Sequence, residues 1–230
     1  EVAGRRFRSR LIVGTGRYVP ETVHTNEMLK ERVAQANPDL AKVVDAFQDS
    51  SGIRARRLAP RDWAASDIAV RAAQAALDKA GIRADQLDMI LLGTDTPDYI
   101  TPATSTVVQH KLGAVNAGTY DIGCACASFP TGIATASGLL ATNPWMKYVL
   151  VIGVYMMSKL ADPADVVSFF YSDGAGAAVL AADDKPGFIS SAYLADGSYH
   201  QYWGLYSGGT YEPATVEAVQ AGRANVRLLQ

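Results

Sequence analysis

The stretch Thr119 to Leu140, TYDIGCACASFPTGIATASGLL, constrains this chain more than any other. Tyr120-Asp121-Ile122 reads as a β-strand. The only two cysteines, Cys124 and Cys126, follow at once. Behind them comes a run of Ala, Gly, Ser and Thr that predicts a helix packed closely on all sides, because small residues let neighbouring backbones approach. Proline is tolerated in the first helical turn, so Pro130 sets the helix start near Ala127. A thiol between a strand and a helix N-terminus meets unpaired N–H groups and the positive end of the helix dipole. Both favour a thiolate, and the same N–H groups can hold an oxyanion. The competing reading is that a free cysteine is a small buried hydrophobe, and Cys124 keeps that reading. A metal site usually needs C-x₂-C spacing and further ligands, whereas the three histidines, His24, His110 and His200, lie far apart in sequence.

The 230 residues are 49 % apolar and 19 % charged, enough to bury a core. The net charge of −2 hides an asymmetry: residues 1–83 carry 15 Lys/Arg and 10 Asp/Glu, residues 84–230 carry 6 and 13. The basic end suits an acidic partner, such as a carrier protein or a phosphorylated cofactor. Cysteines one residue apart cannot staple a fold, which predicts a reducing compartment, the cytoplasm. Residues 1–10 lack the apolar stretch of a signal peptide, and the longest apolar run, Tyr148 to Met157, is too short for a bilayer. Neither a membrane nor a nucleic-acid partner is expected.

In chain order, Leu11-Ile12-Val13 predicts a strand buried on both faces, and Gly14-Thr15-Gly16 a turn. Thr25 or Asn26 caps a helix that Pro38 ends or separates from the next. His24, just before the cap, is expected at the surface. A helix runs from Ser66 or Asp67 through Lys79, with Ala69, Ala72, Ala73, Ala76 and Leu77 on one face and Gly81 as its stop. Leu87 to Leu92 reads as a buried strand. Thr101-Pro102 reads as an N-cap and first helical residue, leading a helix that stops at Gly113 and carries a structural His110. Tyr148 to Gly153 and Ala175 to Ala182 are strands. Gly187 to Leu194 is expected to pair beside the latter, and Glu212 to Gln230 to form a final helix. Alternating helices and near-continuous apolar strands define an α/β fold with a mixed, mostly parallel sheet covered on both faces.

Asp121-Ile122-Gly123-Cys124-Ala125-Cys126-Ala127-Ser128-Phe129 resembles the nucleophile segment of the β-ketoacyl-acyl-carrier-protein synthase III group of the thiolase superfamily. Four further segments resemble that family in the same order: Ile12 to Pro20, Ser51-Gly52-Ile53-Arg54-Ala55-Arg56-Arg57, Ser172 to Leu180, and Asp196-Gly197-Ser198-Tyr199. The resemblance implies a layered α-β-α-β-α thiolase-like architecture in which only the first repeat is complete. Residues 1–183 would form the N-terminal half with the nucleophile, and 184–230 the beginning of a C-terminal half. The family's histidine and asparagine segments, H-Q-A-N and G-N-T-S, do not occur here, so this reading makes the chain a fragment of the family's catalytic set.

The resemblance further implies an acyltransferase of fatty-acid and lipid biosynthesis. Cys126 would take an acyl group from a thioester and pass it to malonyl-acyl-carrier protein in a decarboxylating Claisen condensation. No cofactor or metal is implied; acyl-coenzyme A or acyl-carrier protein serve as substrates, and a homodimer is expected. Phe129, Tyr155, Phe169, Tyr202 and Trp203 are candidates to line the acyl site. Thr101 stands where the family's dimer partner places a bulky Phe, which predicts a roomier pocket and a substrate larger than acetyl. Arg54, Arg56 and Arg57 are candidates to face the carrier or cofactor. The family's nucleotide-holding Trp and Arg positions look like Ala46 and Ser50, and its second Arg like Val166, so coenzyme A in the usual pose is disfavoured. Two alternatives stay open: an acyltransferase or thioester hydrolase without decarboxylation, and a non-catalytic acyl-binding or dimerisation partner.

Overall fold

The computed structural model describes residues 9–183 and 187–228. Its elements are β1 (Ser9–Tyr18), β2 (Thr22–Thr25), α1 (Asn26–Ala36), α2 (Leu40–Ser51), β3 (Ala55–Leu58), α3 (Ala65–Ala80), β4 (Met89–Gly93), α4 (Thr104–Leu112), β5 (Gly118–Ile122), α5 (Ser128–Thr142), β6 (Tyr148–Tyr155), β7 (Gly174–Asp183), β8 (Trp203–Gly204), α6 (Val216–Gln220) and β9 (Arg227–Leu228). They form two compact units. The first contains the described residues 9–19, 61–155, 174–183 and 187–192; the second contains 20–60, 156–173 and 193–228. The boundary expected at 183/184 falls at the end of β7, beside residues 184–186, which lie outside the described ones.

In the first unit a five-stranded sheet has the order β1-β7-β6-β4-β5. β6, β4 and β5 are parallel, and β1, β7 and β6 pair antiparallel. Ile90, Leu91, Leu92, Val149, Leu150 and Ile152 are fully buried, as strands covered on both faces require. Alternate residues divide between two layers. Leu91, Val149, Val151, Ala178 and Leu180 join Ala136 and Leu140 of α5 in one cluster. α3, with α4 beside it, covers the opposite face. The predicted alanine face of α3 is the buried one, and Gly81 closes the helix at φ 68°.

Several expectations change here. β1 runs straight through Gly14-Thr15-Gly16, with an irregularity at Val13, and is the sheet's edge, leaving Ile12 half exposed. The glycines are there because α3 lies against them. A Cβ on Gly14 would sit 2.3 Å from the Ala76 carbonyl oxygen, and one on Gly16 2.1 Å from that of Ala72. Residues 187–194 form no strand: β7 already has β1 on one edge and β6 on the other. α4 begins at Thr104, not at Pro102, and the Thr101–Pro102 bond is cis. His110 is exposed on α4 rather than part of the core.

In the second unit, Thr25 caps α1 by accepting the Met28 N–H at 3.3 Å. Leu29, Val33, Val44 and Phe169 make its core, with Leu40, Phe47, Ile53 and Val166 packed around them. Asp173 gathers three segments: it accepts from the Ala59 N–H at 2.8 Å, the Ser158 hydroxyl at 2.6 Å and the Ser158 N–H at 3.4 Å, while its own N–H meets the Arg57 carbonyl. The helix expected over 212–230 is reduced to α6, because Gly222 turns the chain at φ 67° toward β9. Residues 229–230 lie outside the described ones.

Candidate active site

The candidate site lies where β5 ends and α5 begins, in the first unit. Asp121 on β5 is the anchor: its carboxylate takes the Thr104 N–H at 2.7 Å and the Ser105 N–H at 2.8 Å, the first donors of α4. Beyond Ile122 the chain makes a tight 3₁₀ turn over Ala125–Ala127 and enters α5, with Ala127 as its N-cap, as Pro130 predicts. Ala125 sits at φ 50°, among the described residues the only non-glycine at positive φ. An L-residue there meets a clash between Cβ and backbone, so the surroundings must hold it.

Three N–H groups of the turn have acceptors. Cys124 N–H donates to Ser128 Oγ at 3.0 Å. The Ala125 N–H lies toward the Asp95 carboxylate and pulls its pKa down. Ala127 N–H reaches the Cys124 carbonyl at 3.1 Å, and Ser128 N–H reaches the Ala125 carbonyl. Cys126 N–H has no acceptor among the described residues. Both thiols are free and exposed, and the Cys124 sulfur also meets Thr131 Oγ1 at 3.5 Å, so Cys124 is not the buried hydrophobe expected of it. Cys126 therefore presents a sulfur and an unused N–H at the positive end of a four-turn helix. The helix is not enclosed on all sides: Ser128, Gly132, Ala136, Ser137 and Leu140 are buried, and Pro130 and Gly138 are exposed.

Asp95 is the residue that sequence reasoning missed. It follows the C-terminal end of β4, half-buried, and burial raises its carboxyl above the usual value against the opposing pull of the Ala125 N–H. A polar residue just past the carboxyl end of a parallel strand is the available signal, because that edge of a sheet is where sites form.

The other candidates separate. In the first unit, Phe129 is half-buried, its ring against β6 where a Cβ on Gly153 would come within 3.3 Å. Tyr155 ends β6, half-buried, and Thr101 is exposed before α4. In the second unit, Phe169 is fully buried among core residues, its ring 5.4 Å from that of Phe47. That packing makes it a core residue rather than a tunnel lining. Arg56, 3 % exposed, is interior too: it donates to the Phe169 carbonyl at 2.8 Å and Asn26 Oδ1 at 2.6 Å, and lies 4.6 Å over the Phe169 ring. It is not available to a carrier. Arg54 and Arg57 are exposed, Arg57 holding the Glu21 carbonyl at 2.8 Å. Tyr202 packs tilted against Tyr199 with ring centroids 5.6 Å apart, and Trp203 Nε1 donates to Tyr171 Oη at 3.1 Å. An open cavity of about 830 Å³ lies in the same unit, lined by His200, Leu205, Tyr206, Tyr211, Glu212 and Arg227, without Tyr202 or Trp203.

His24 is not a plain surface residue. Its Nδ1 is buried without a hydrogen-bond partner, facing a space of about 30 Å³ shared with Arg32 and Arg56. Burial, then the two guanidiniums, hold its pKa below 6.5. Among the described residues no group of three or more His, Cys, Asp or Glu is placed to hold a metal, and no helix is long and apolar enough to cross a membrane.

A family profile described as 3-oxoacyl-[acyl-carrier-protein (ACP)] synthase III matches residues 120–197. The chain is 39 % identical over 215 residues to the beta-ketoacyl-[acyl-carrier-protein] synthase III of Natranaerobius thermophilus, covering 91 % of this chain and 63 % of that protein. Against the Xanthomonas oryzae protein of the same name it is 37 % identical, covering 57 % of that protein. The chain thus spans about three-fifths of the length of these relatives. Among solved structures, the synthase III of Pseudomonas aeruginosa superposes with a TM-score of 0.80 at 29 % identity, over 96 % of this chain and 65 % of that one. The priming beta-ketosynthase of the R1128 polyketide pathway gives a TM-score of 0.81 at 27 % identity, over 98 % and 65 %. With its mixed sheet and covering helices, this is a protein of thiolase fold. Within that class the chain is similar to the β-ketoacyl-[acyl-carrier-protein] synthase III proteins over about three-fifths of their length.

Proposed function

We propose that Cys126 is the acyl-accepting nucleophile of a 3-oxoacyl-acyl-carrier-protein synthase III-like condensation. The observation that carries this reading is the turn itself, which sets the exposed Cys126 sulfur at the start of α5 beside its own N–H, a donor with no acceptor among the described residues. In the reaction, the Cys126 thiolate attacks the carbonyl carbon of an acyl thioester. The tetrahedral oxyanion forms within reach of the Cys126 N–H, a donor worth roughly 3–4 kcal/mol in such sites. Collapse expels the thiolate of the donor and leaves an acyl-cysteine. A carbanion formed by loss of CO₂ from a malonyl thioester then attacks that carbonyl, makes the C–C bond and returns Cys126.

Acyl-carrier protein is the proposed partner. Exposed Arg54 and Arg57 support an acidic one, while Arg56 is withdrawn into the interior. Phe129 and Tyr155 are the proposed acyl-facing side chains of the first unit, and Tyr202 and Trp203 those of the second. Exposed Thr101 supports room for acyl groups larger than acetyl. A homodimer is proposed through the outer edge of β5, which has no strand partner among the described residues and where Tyr120 is exposed. A cytoplasmic setting is proposed from the two free thiols.

Intact-mass measurement tests the reading. Incubation with acyl thioesters of increasing chain length adds one acyl mass, and Cys126→Ser abolishes the gain while Cys124→Ser does not. No adduct with any donor, or an adduct that survives loss of Cys126, overturns it.

A further inference from the structure

We infer that the small space between His24, Arg32 and Arg56 is an anion site, sized for chloride or another single-atom halide. The site lies wholly within the second unit. It stands apart from the acyl-cysteine reading, and none of its readouts needs activity.

Hydrogen bonding and charge agree on the class of ligand. The side chains around the space supply two guanidiniums, from Arg32 of α1 and Arg56 of β3, the imidazole of His24 on β2, and the hydroxyls of Ser158, Ser168 and Tyr171. Among the described residues no carboxylate lines it. Buried polar atoms without partners are rare, because each forfeits the hydrogen bond that water gave it. Two of them belong to residues around this one space: His24 Nδ1 and Arg32 Nε. The partners that the guanidiniums do have are neutral. Arg32 reaches Ser168 Oγ at 3.2 Å, and Arg56, 3 % exposed, reaches the Phe169 carbonyl, the Thr25 carbonyl and Asn26 Oδ1. The nearby carboxylates are engaged elsewhere. Asp162 offsets part of the Arg32 charge from outside the lining, with its Oδ1 on the Ala164 N–H at 2.8 Å. Asp165 Oδ1 takes the Val167 N–H at 2.9 Å. Asp173, behind Ser158, has both oxygens occupied by the Ala59 N–H and by the hydroxyl and N–H of Ser158.

A water in the space would answer the orphaned nitrogens and leave the positive charges as they are. An anion answers both, accepting from Nδ1–H and Nε–H while its charge offsets the guanidiniums where solvent screens them least. Size narrows the class further. One water needs roughly 10–15 Å³ of such space. The 30 Å³ present admits a one-atom ion and is too small for a tetrahedral phosphate or sulfate. His24 and Arg32 are only partly buried, which leaves the ion a way in. Protonated His24 adds a third positive charge, so halide and proton each raise the affinity for the other. Halide therefore moves the His24 pKa upward, against the burial and the two guanidiniums that lower it.

Nuclear magnetic resonance tests the site. The His24 ring is titrated in potassium gluconate and in potassium chloride at equal ionic strength, with His24→Gln identifying its signal. Gluconate screens charge but is too large to enter. Chloride raises the His24 pKa above its value in gluconate, and bromide does the same. The ³⁵Cl line broadens with the wild-type chain, more at pH 5.5 than at pH 8, on the order of the pH range in which a histidine gains its proton. Arg32→Gln weakens chloride binding about 10- to 100-fold, the factor carried by a hydrogen bond to a charged group. Equal His24 titrations in the two salts overturn the inference and leave the space to water, as does ³⁵Cl broadening that Arg32→Gln leaves unchanged. Should Arg32→Gln not fold, the comparison of salts on the wild-type chain still decides.

Discussion

Asp121 on β5 caps α4, its two carboxylate oxygens meeting the Thr104 and Ser105 N–H groups at 2.7 and 2.8 Å. A helix start normally takes its cap from the residue before it; here the acceptor comes from a strand that lies later in the chain. The residue that fixes α4 therefore also sets where β5 ends and the cysteine turn begins. Asp121→Ala strands two helix donors, and the expected loss is about 2–3 kcal/mol, with charge-assisted bonds at the upper end of the usual range. Urea unfolding checks it: the midpoint falls with an unchanged slope. Asp121→Asn, able to accept through one oxygen only, falls between.

Gly14 and Gly16 make the opposite kind of contact, in which the absence of a side chain is the interaction. Alanine at either position places Cβ within 2.3 Å of the α3 backbone, and a carbonyl oxygen cannot rotate away as a side chain can. Gly14→Ala and Gly16→Ala each force β1 and α3 apart, with an expected cost of about 2–3 kcal/mol or loss of the folded state. Gly138→Ala, where nothing lies within 4 Å, serves as the control and leaves the melting temperature unchanged or raised.

These two cases explain what was legible in the sequence. The alanine face of α3, its Gly81 stop and the apolar strands β4 and β6 follow from periodicity, which is a local property. Gly14-Thr15-Gly16 reads as a turn because glycine carries the turn signal locally, while its real cause is a helix some 60 residues away. The segment 187–194 has strand composition, but both edges of β7 are already taken. Cys126 stands out as a candidate in the sequence because a strand, a cysteine and a small-residue helix form one continuous string. Asp95 does not, because its nearness to the Ala125 N–H arises only in the folded chain. Arg56 and Phe169 were misread for a related reason: an Arg and a Phe look like ligand-facing residues until their mutual packing is known.

Arg56 and Arg54 provide a direct contrast. Arg56 is interior, bonded to the Phe169 carbonyl, Asn26 Oδ1 and the Thr25 carbonyl. Removing it leaves those acceptors unpaired, so Arg56→Ala costs about 3 kcal/mol or more, and Arg56→Lys recovers little because an ammonium cannot reproduce the planar fork. Arg54→Ala, at an exposed position, stays within about 0.5 kcal/mol. Equilibrium denaturation separates the two; equal losses contradict the placement of Arg56.

His24 gives the second unit a pH dependence of known sign. Burial, with Arg32 and Arg56 facing the ring, lowers its pKa in the folded chain from 6.5. Between that lowered value and 6.5 the unfolded chain binds the extra proton, so stability falls as pH drops through this window and is fully present above it. His24→Gln, which has no charge to gain, flattens the dependence. Melting temperatures from pH 7.5 down to 5 for both chains make the test, and parallel curves would count against it.

Gly93 connects packing most directly to chemistry. It closes β4, and a Cβ there would fall 2.5 Å from the Cβ of Ser128 and 3.1 Å from its carbonyl carbon. Ser128 Oγ in turn receives the Cys124 N–H, so a push on Ser128 is a push on the cysteine turn. Gly153 on the neighbouring β6 meets Phe129 less closely, its ring at 3.3 Å and its Cβ at 3.4 Å, and a ring can tilt where the first residue of a helix cannot. Gly93→Ala is therefore expected to reduce acyl loading of Cys126 by tenfold or more in whatever fraction stays folded, through displacement of order 1 Å. Gly153→Ala, the milder intrusion, changes loading less than Gly93→Ala does. Single-turnover loading, normalised to folded protein by near-ultraviolet circular dichroism, ranks the two variants. The reverse order would mean that the ring of Phe129, and not the start of α5, sets the position of the sulfur.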